Sequence, residues 1–326
     1  MLRAIYTRPG EPLVETTSEA DILRFHREAK GTLWVDLEAP TDPERGILER
    51  VFGFHKLAIE NTVQLSNHPR IDDYGEYLYL VVHGVTPTNR GKLGGESRFK
   101  LQEIDMFLGP TFLVTYHAGA ERSMETVRRK CGEVERLMSR GSDRVLAELL
   151  DHLAEEYVAL MESLDDEIDT LEDRLFKGAS KPALREIFSL KKDVLHLRRV
   201  VNPQREVLNR LARSEHKAVT KEEAVYFRDV YDHIYRVSEM LESFRDVLSG
   251  AMEVYLTVVS NRTNDIMKVL TVFSIILMSA SLIAGLYGMN VPVPGGESKL
   301  SFWLLTGSMA VLASALLVFF KRRRWI

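Results

Sequence analysis

The chain has 326 residues, with 43 lysines and arginines against 47 aspartates and glutamates, and a formal net charge of −4. Cys131 is its one cysteine, which excludes an internal disulfide and fits a reducing compartment. The opening MLRAIYTRPGEPLVE has no apolar core, so no secretory signal is expected, and nucleic acid is not among the expected partners.

From Met1 to about Gly119 the pattern is mixed. Leu33 to Leu37, Tyr77 to Val82 and Phe112 to Tyr116 are rich in aromatic, Leu and β-branched residues and read as strands. Ser18 to Lys30 and Pro43 to Phe52 read as helical pieces, and Gly91-Lys92-Leu93-Gly94-Gly95 as a loop between two strands. An α/β domain is expected over residues 1–122.

Beyond about Ser123 the chain reads as helix almost throughout. From Asp143 to Lys177 apolar residues recur at helical spacing, including Leu146, Leu149, Leu153, Met161, Leu164, Ile168, Leu171 and Leu175. Gly178 to Pro182 makes a turn, and a second helix is expected from Ala183 to about Arg213. A turn that short implies antiparallel neighbours, so residues 123–219 are expected to form an acidic helical hairpin. Thr220-Lys221-Glu222-Glu223 fits a capping box, with Thr220 as N-cap and Glu223 reaching back. A single helix, unbroken by proline, is expected from there to Tyr287, roughly 100 Å long at about 1.5 Å per residue. Gly250 weakens its middle by about 1 kcal/mol relative to alanine without breaking it.

Two uncharged runs close the chain, Val269 to Tyr287 and Phe302 to Phe320. Each comes close to the roughly 20 apolar residues a helix needs to cross a bilayer. Backbone groups in lipid must be satisfied internally, so two spanning helices are the economical reading: residues 220–290 form a long stalk helix that ends in the first span, 291–301 an outer loop, and 302–326 the second span with its basic tail. Lys268 precedes the first run, and Lys321-Arg322-Arg323-Arg324 follows the second. By the positive-inside rule both termini are cytoplasmic.

Tyr287-Gly288-Met289-Asn290 at the end of the first span, with the tail Lys-Arg-Arg-Arg-Trp-Ile after the second, resembles the CorA family of magnesium channels. Tyr226 to His233, Phe244-Arg245-Asp246, Ser260 to Asn264 and Met267 to Thr271 are similar to segments of the same family, as is the acidic Asp165 to Asp169. The resemblance covers nearly the whole chain and is weakest before residue 70. It implies an α+β membrane protein of the inner (plasma) membrane, a homopentamer. Five long helices would form a funnel around one axial pore, with the second spans as an outer ring among membrane lipid.

Asn264, Met267, Leu270, Ser274, Met278, Ser281, Gly285 and Gly288 are spaced by three or four and share one helix face without charge. Spacing alone fits a packing stripe of small and flexible residues as well as a pore. The resemblance implies the pore. Magnesium gives up its water reluctantly, so a pore that holds the hydrated ion by amide and carbonyl oxygens avoids the dehydration cost. On that reading Asn290 forms a ring of acceptors at the outer mouth, Gly288 adds backbone carbonyls and suits a left-handed helix end, Tyr287 buttresses the loop, and Met289 packs. Met267, Leu270 and Met278 would form apolar constrictions and Asn264 and Ser281 polar rings, while Glu253 fits an acidic ring at the inner end and a solvated helix face equally well.

The run from Glu148 to Asp173 is densely acidic and by composition reads as a solvated face. The resemblance implies instead that subunit-bridging Mg2+ is sensed there, with Asp151 and Asp229 at the matching positions. A further family carboxylate has no equivalent at Thr88-Asn89-Arg90. The outer loop Val291 to Lys299 departs from the acidic MPEL-type loop of many members. The intact Gly288-Met289-Asn290 makes magnesium the expected cargo, with cobalt and nickel as passengers, while the altered loop keeps zinc as the alternative. A non-conducting membrane scaffold is the rival of a different class. No GxxxxGK[ST], HExxH or paired-cysteine motif points to an enzyme, and the nine histidines are scattered singly.

Overall fold

A computed structural model of the chain describes residues 1–8, 10–64, 68–88, 97–119, 122–133, 135–178, 180–289, 299–323 and 325. The described elements begin with β1 (Leu2–Thr7), β2 (Val14–Thr16), α1 (Glu19–Glu28), β3 (Thr32–Glu38), α2 (Asp42–Arg45), α3 (Ile47–Arg50) and α4 (Lys56–Val63). There follow β4 (Arg70–Asp73), β5 (Leu78–Pro87), β6 (Phe99–Leu108), β7 (Phe112–His117), α5 (Arg122–Glu133) and α6 (Glu135–Ser139). Four long helices complete the chain: α7 (Ser142–Lys177), α8 (Lys181–Ala212), α9 (Ala224–Tyr287) and α10 (Lys299–Arg322).

The strands form one mixed sheet in the order β2-β1-β3-β7-β6-β5-β4. β3 and β7 run parallel, with Val35 opposite Val114; the other neighbouring pairs are antiparallel. Alternate residues of the central strands enter a core with the helices after β2 and β3. Leu33, Val35, Tyr79, Val81, Phe107 and Val114 meet Ile22, Phe25, Ile47, Leu48 and Ala58 there. The intervening residues Trp34, Leu80, Val82, Ile104, Met106 and Leu113 are also buried. A sheet covered on both faces explains the near-continuous apolar run of β5.

The second face is tied to the long helices by hydrogen bonds. Tyr157 Oη of α7 donates to the His83 carbonyl at 3.1 Å, and the His83 N–H donates to Gln204 Oε1 of α8 at 2.9 Å. Arg98, at the start of β6, reaches Glu167 at 2.5 Å and Asp193 at 2.9 Å. Arg98 and Asp193 are both buried, so the pair satisfies two charges taken out of water.

Met1–Arg174 and Ser180–Ala251 make one compact unit; Leu175–Ala179 and Met252–Ile326 make a second. In the first, the expected strands and helical pieces are present, although Pro43 to Phe52 is two short helices that meet at Gly46. Gly178 turns between α7 and α8 at φ +146, a backbone conformation that side chains disfavour. Ser180 then caps α8 by accepting from the Ala183 N–H. The Gly91 to Gly95 segment and residues 291–298 lie outside the described residues.

The start of α9 corrects the expected capping box. Thr220 Oγ1 accepts from the Glu223 N–H at 3.4 Å, as foreseen. Glu223 does not reach back; its buried carboxylate pairs with Arg140 at 2.6 Å and Arg144 at 3.7 Å. Asp143 of α7 takes its place, with Oδ2 accepting from the Thr220 N–H at 2.9 Å and from Thr220 Oγ1 at 2.7 Å. Once Glu223 is drawn to two arginines, the orphan N–H needs another acceptor, and a neighbouring helix supplies it.

Candidate functional site: the C-terminal half of α9

In the second unit α9 continues without a break to Tyr287, and α10 follows after the loop. Both helices are long and apolar enough to cross a membrane, and the most apolar window of each is 6% buried in α9 and 0% in α10. A core helix of a soluble protein would hide such a window; these stay open to lipid or to other copies of the chain.

Glu253, Asn264, Met267, Leu270, Ser274, Met278, Ser281 and Gly285 all lie on α9 and all are exposed. Continuity of the helix puts the positions from Asn264 to Gly285 on one side of it. Along the helix Thr257, Thr263, Thr271 and Ser279 each donate to the carbonyl four residues back at 2.7–3.0 Å. Ser274 and Ser281 make no hydrogen bond among the described residues. Those two free hydroxyls sit on the face singled out by spacing. Sequence reasoning weighed only residue type there; the bonding of each hydroxyl needed coordinates.

At the end of the helix Tyr287, Gly288 and Met289 are exposed, and Asn290 lies outside the described residues. The expectation of a left-handed Gly288 is corrected, because its φ is not positive. Its N–H still donates to the Ala284 carbonyl at 2.9 Å, so the helical bonding runs on through it. A Cβ added at 288 would stand 3.1 Å from that carbonyl oxygen, so a side chain there would need the last turn to give slightly.

The acidic run of α7 divides into two sets. Glu148 pairs with Lys130 and Arg144, Glu155 with His152, and Glu167 with Arg98. Asp165, Asp166, Asp169 and Asp173 are exposed and have no ion pair among the described residues. Asp151 Oδ1 faces His233 Nδ1 of α9 at 3.5 Å. Burial, with Glu155 nearby, raises the Asp151 carboxyl above its ordinary range. Asp229 is exposed one helical turn before His233, again without an ion pair among the described residues. No three His, Cys, Asp or Glu side chains among the described residues are arranged to hold a metal ion. A divalent ion at Asp151 or Asp229 would need ligands from water or from another copy of the chain.

Residues 29–322 match the family model described as CorA-like Mg2+ transporter protein. The chain is 30% identical over 318 residues to the cobalt/magnesium transport protein CorA of Thermotoga maritima, covering 96% of this chain and 88% of that one. Its fold superposes with a TM-score of 0.84 on the complete structure of the CorA magnesium transporter from Methanocaldococcus jannaschii, at 22% identity, over 100% of this chain and 99% of the other. The cytoplasmic domain of ZntB from Vibrio parahaemolyticus is similar at the level of fold, with a TM-score of 0.61 and 13% identity over 79% of this chain and 97% of that domain.

Proposed function

The chain belongs to the CorA-like Mg2+ transporter family, and on that premise we propose that it carries divalent cations, Mg2+ foremost, across the inner membrane through an axial pore lined by α9 in a homopentamer. The observation that carries this reading is the exposed, uncharged, partly polar face of α9 within an apolar span. Hydroxyls such as Ser274 and Ser281, left without partners, are costly against lipid and suited to a water-filled axis.

At the outer mouth a ring of Asn290 amide oxygens, backed by the Gly288 carbonyls, accepts hydrogen bonds from the water shell of the ion. Tyr287 and Met289 hold that turn by packing. Below it Gly285, Ser281 and Ser274 leave room and polarity, while Met278, Leu270 and Met267 narrow the path with apolar rings that dewet when the helices close in. Asn264 offers a second polar ring, and Glu253 concentrates cations at the inner end. The resemblance assigns these roles, and the physical chemistry of magnesium makes them coherent: an ion that keeps its hydration shell needs acceptors for water, not carboxylates that strip it. Cobalt and nickel ions, also hydrated divalents, are accommodated by the same ring. Both termini stand in the cytoplasm.

Replacing Asn290 by alanine tests the ring. A lost hydrogen-bond acceptor to a charged, hydrated ion is worth about 1.5–3 kcal/mol, so Asn290→Ala is expected to lower Mg2+ flux by roughly tenfold or more with the oligomer still assembled. Unchanged flux from assembled protein rejects the ring.

Closure by cytoplasmic Mg2+ belongs to the same reading. Asp151 and Asp229 of adjacent copies would share bridging ions, and ion loss would leave like charges facing each other and bias the helices apart. Asp229→Ala is expected to conduct normally and to need more Mg2+ for closure. An unchanged Mg2+ dependence of closure removes Asp229 from the sensor.

A further inference from the structure

The inner end of the second unit carries a basic aromatic tail that permeation does not use, beside a groove that borders the uncharged face. An open groove of about 610 Å3 lies beside α9, lined by Asn261, Asp265, Lys268 and Thr271 and by Trp325 from the tail after α10. Asn264 and Met267 also line it, on the side toward the uncharged face. Among the described residues Asp265 is the one carboxylate in the lining, and Lys268 Nζ engages it at 2.8 Å.

The tail is folded onto the helix end. The Trp325 N–H donates to the Phe320 carbonyl at 3.0 Å, and the Trp325 ring lies 5.5 Å from that of Phe320. Between them come Lys321, Arg322 and Arg323, all exposed and all without an ion pair among the described residues. The Arg323 guanidinium is instead over the Phe319 ring, 5.8 Å from its centre. Aromatic rings, an open half-polar groove and three unpaired cations therefore meet at the level where both apolar runs end, next to Lys268 and Lys321.

We propose that this groove and its basic collar form a binding site for the headgroup of an anionic glycerophospholipid. At that depth water is scarce and a cation gains most from a fixed counter-charge, and the bilayer itself offers phosphate. A zwitterionic lipid brings a cationic group that the collar repels, whereas phosphatidylglycerol brings only the negative charge. The groove takes the glycerophosphate, Lys321, Arg322 and Arg323 its charge, and Phe319, Phe320 and Trp325 the first methylenes of the chains.

Trp325 reports on the site directly. The full chain carrying Trp303→Phe, so that Trp325 is the one tryptophan of the membrane unit, is reconstituted into phosphatidylcholine vesicles with a minor share of lipid brominated on its chains. Bromine quenches indole fluorescence on contact. Each cation near an anionic surface supplies about a fivefold attraction, so brominated phosphatidylglycerol is expected to quench with at least about fivefold greater apparent affinity than brominated phosphatidylcholine. Lys321→Gln with Arg322→Gln and Arg323→Gln is expected to bring the two lipids to parity. Inorganic phosphate, against chloride of equal ionic strength, leaves the preference in place. Parity in the protein with its collar intact overturns the proposal, as does a preference abolished by inorganic phosphate. Trp325 shielded from both lipids also overturns it and assigns the groove to another copy of the chain. Fluorescence reads occupancy without reference to transport, so failure here leaves the proposed function standing.

Discussion

Asp105 shows what a buried carboxyl does when its partners are few. It lies on β6 opposite Val81 of β5, accepts a short hydrogen bond from Tyr79, and has Glu103 and Arg70 as its nearest charges. Burial pushes it up to about 8, against the pull of the Tyr79 hydrogen bond. On β5, His83 is pushed by burial the other way, down to about 4. A carboxyl raised on folding binds extra protons in the folded state, so its contribution to stability falls as pH rises from about 4 to about 8. A histidine lowered on folding does the reverse between about 4 and its ordinary 6.5, so the two oppose each other there. Above 6.5 Asp105 acts with His117, which its bond to Asp36 holds above the ordinary histidine range despite burial. Stability of the full chain is therefore expected to decline between about pH 6.5 and 8, and Asp105→Asn to make that decline shallower. Thermal unfolding followed by circular dichroism across that window checks it; an equal decline in the variant contradicts the assignment. None of this could be read from the chain, where the histidines stand singly and the β5–β6 register that brings these groups together is not written in their spacing.

At the scale of elements, the long helices were legible because they repeat. Apolar residues at every third or fourth position over 36 residues of α7 leave no other economical structure, and the absence of proline carried α9 through 64 residues. Short pieces were harder. β2 has three residues and β4 four, both at sheet edges, too few for a period to declare itself. The cap of α9 was half legible for the same kind of reason: Thr220 announces a helix start locally, but its partner Asp143 is 77 residues away. Asp143 receives two hydrogen bonds from Thr220, and its loss leaves a helix N-terminus without them. Asp143→Ala is expected to cost about 1–2 kcal/mol, visible as a lower unfolding temperature of the first unit, while Glu222→Ala on the exposed side of the same turn costs little. Equal effects from the two variants contradict the cap.

At the scale of the whole molecule, the proposed function treats the chain as one of several copies. A single chain leaves the uncharged face of α9 exposed along its length, leaves Ser274 and Ser281 unpartnered, and assembles no metal-holding cluster among its described residues. Each of these is a half-site on the pentameric reading, completed by symmetry. Tyr287-Gly288-Met289-Asn290 made the family legible as a signature, whereas Gly288 was misjudged because a helix end can also close on a glycine whose φ is not positive. The central claim is conduction of hydrated Mg2+ along this axis, and metal flux into proteoliposomes holding the assembled protein tests it most directly. Under an imposed voltage, with and without a pH gradient, Mg2+ is expected to enter with the voltage and to ignore the pH gradient. Zinc entry that follows the proton gradient, or no flux of either metal from assembled protein, contradicts the account.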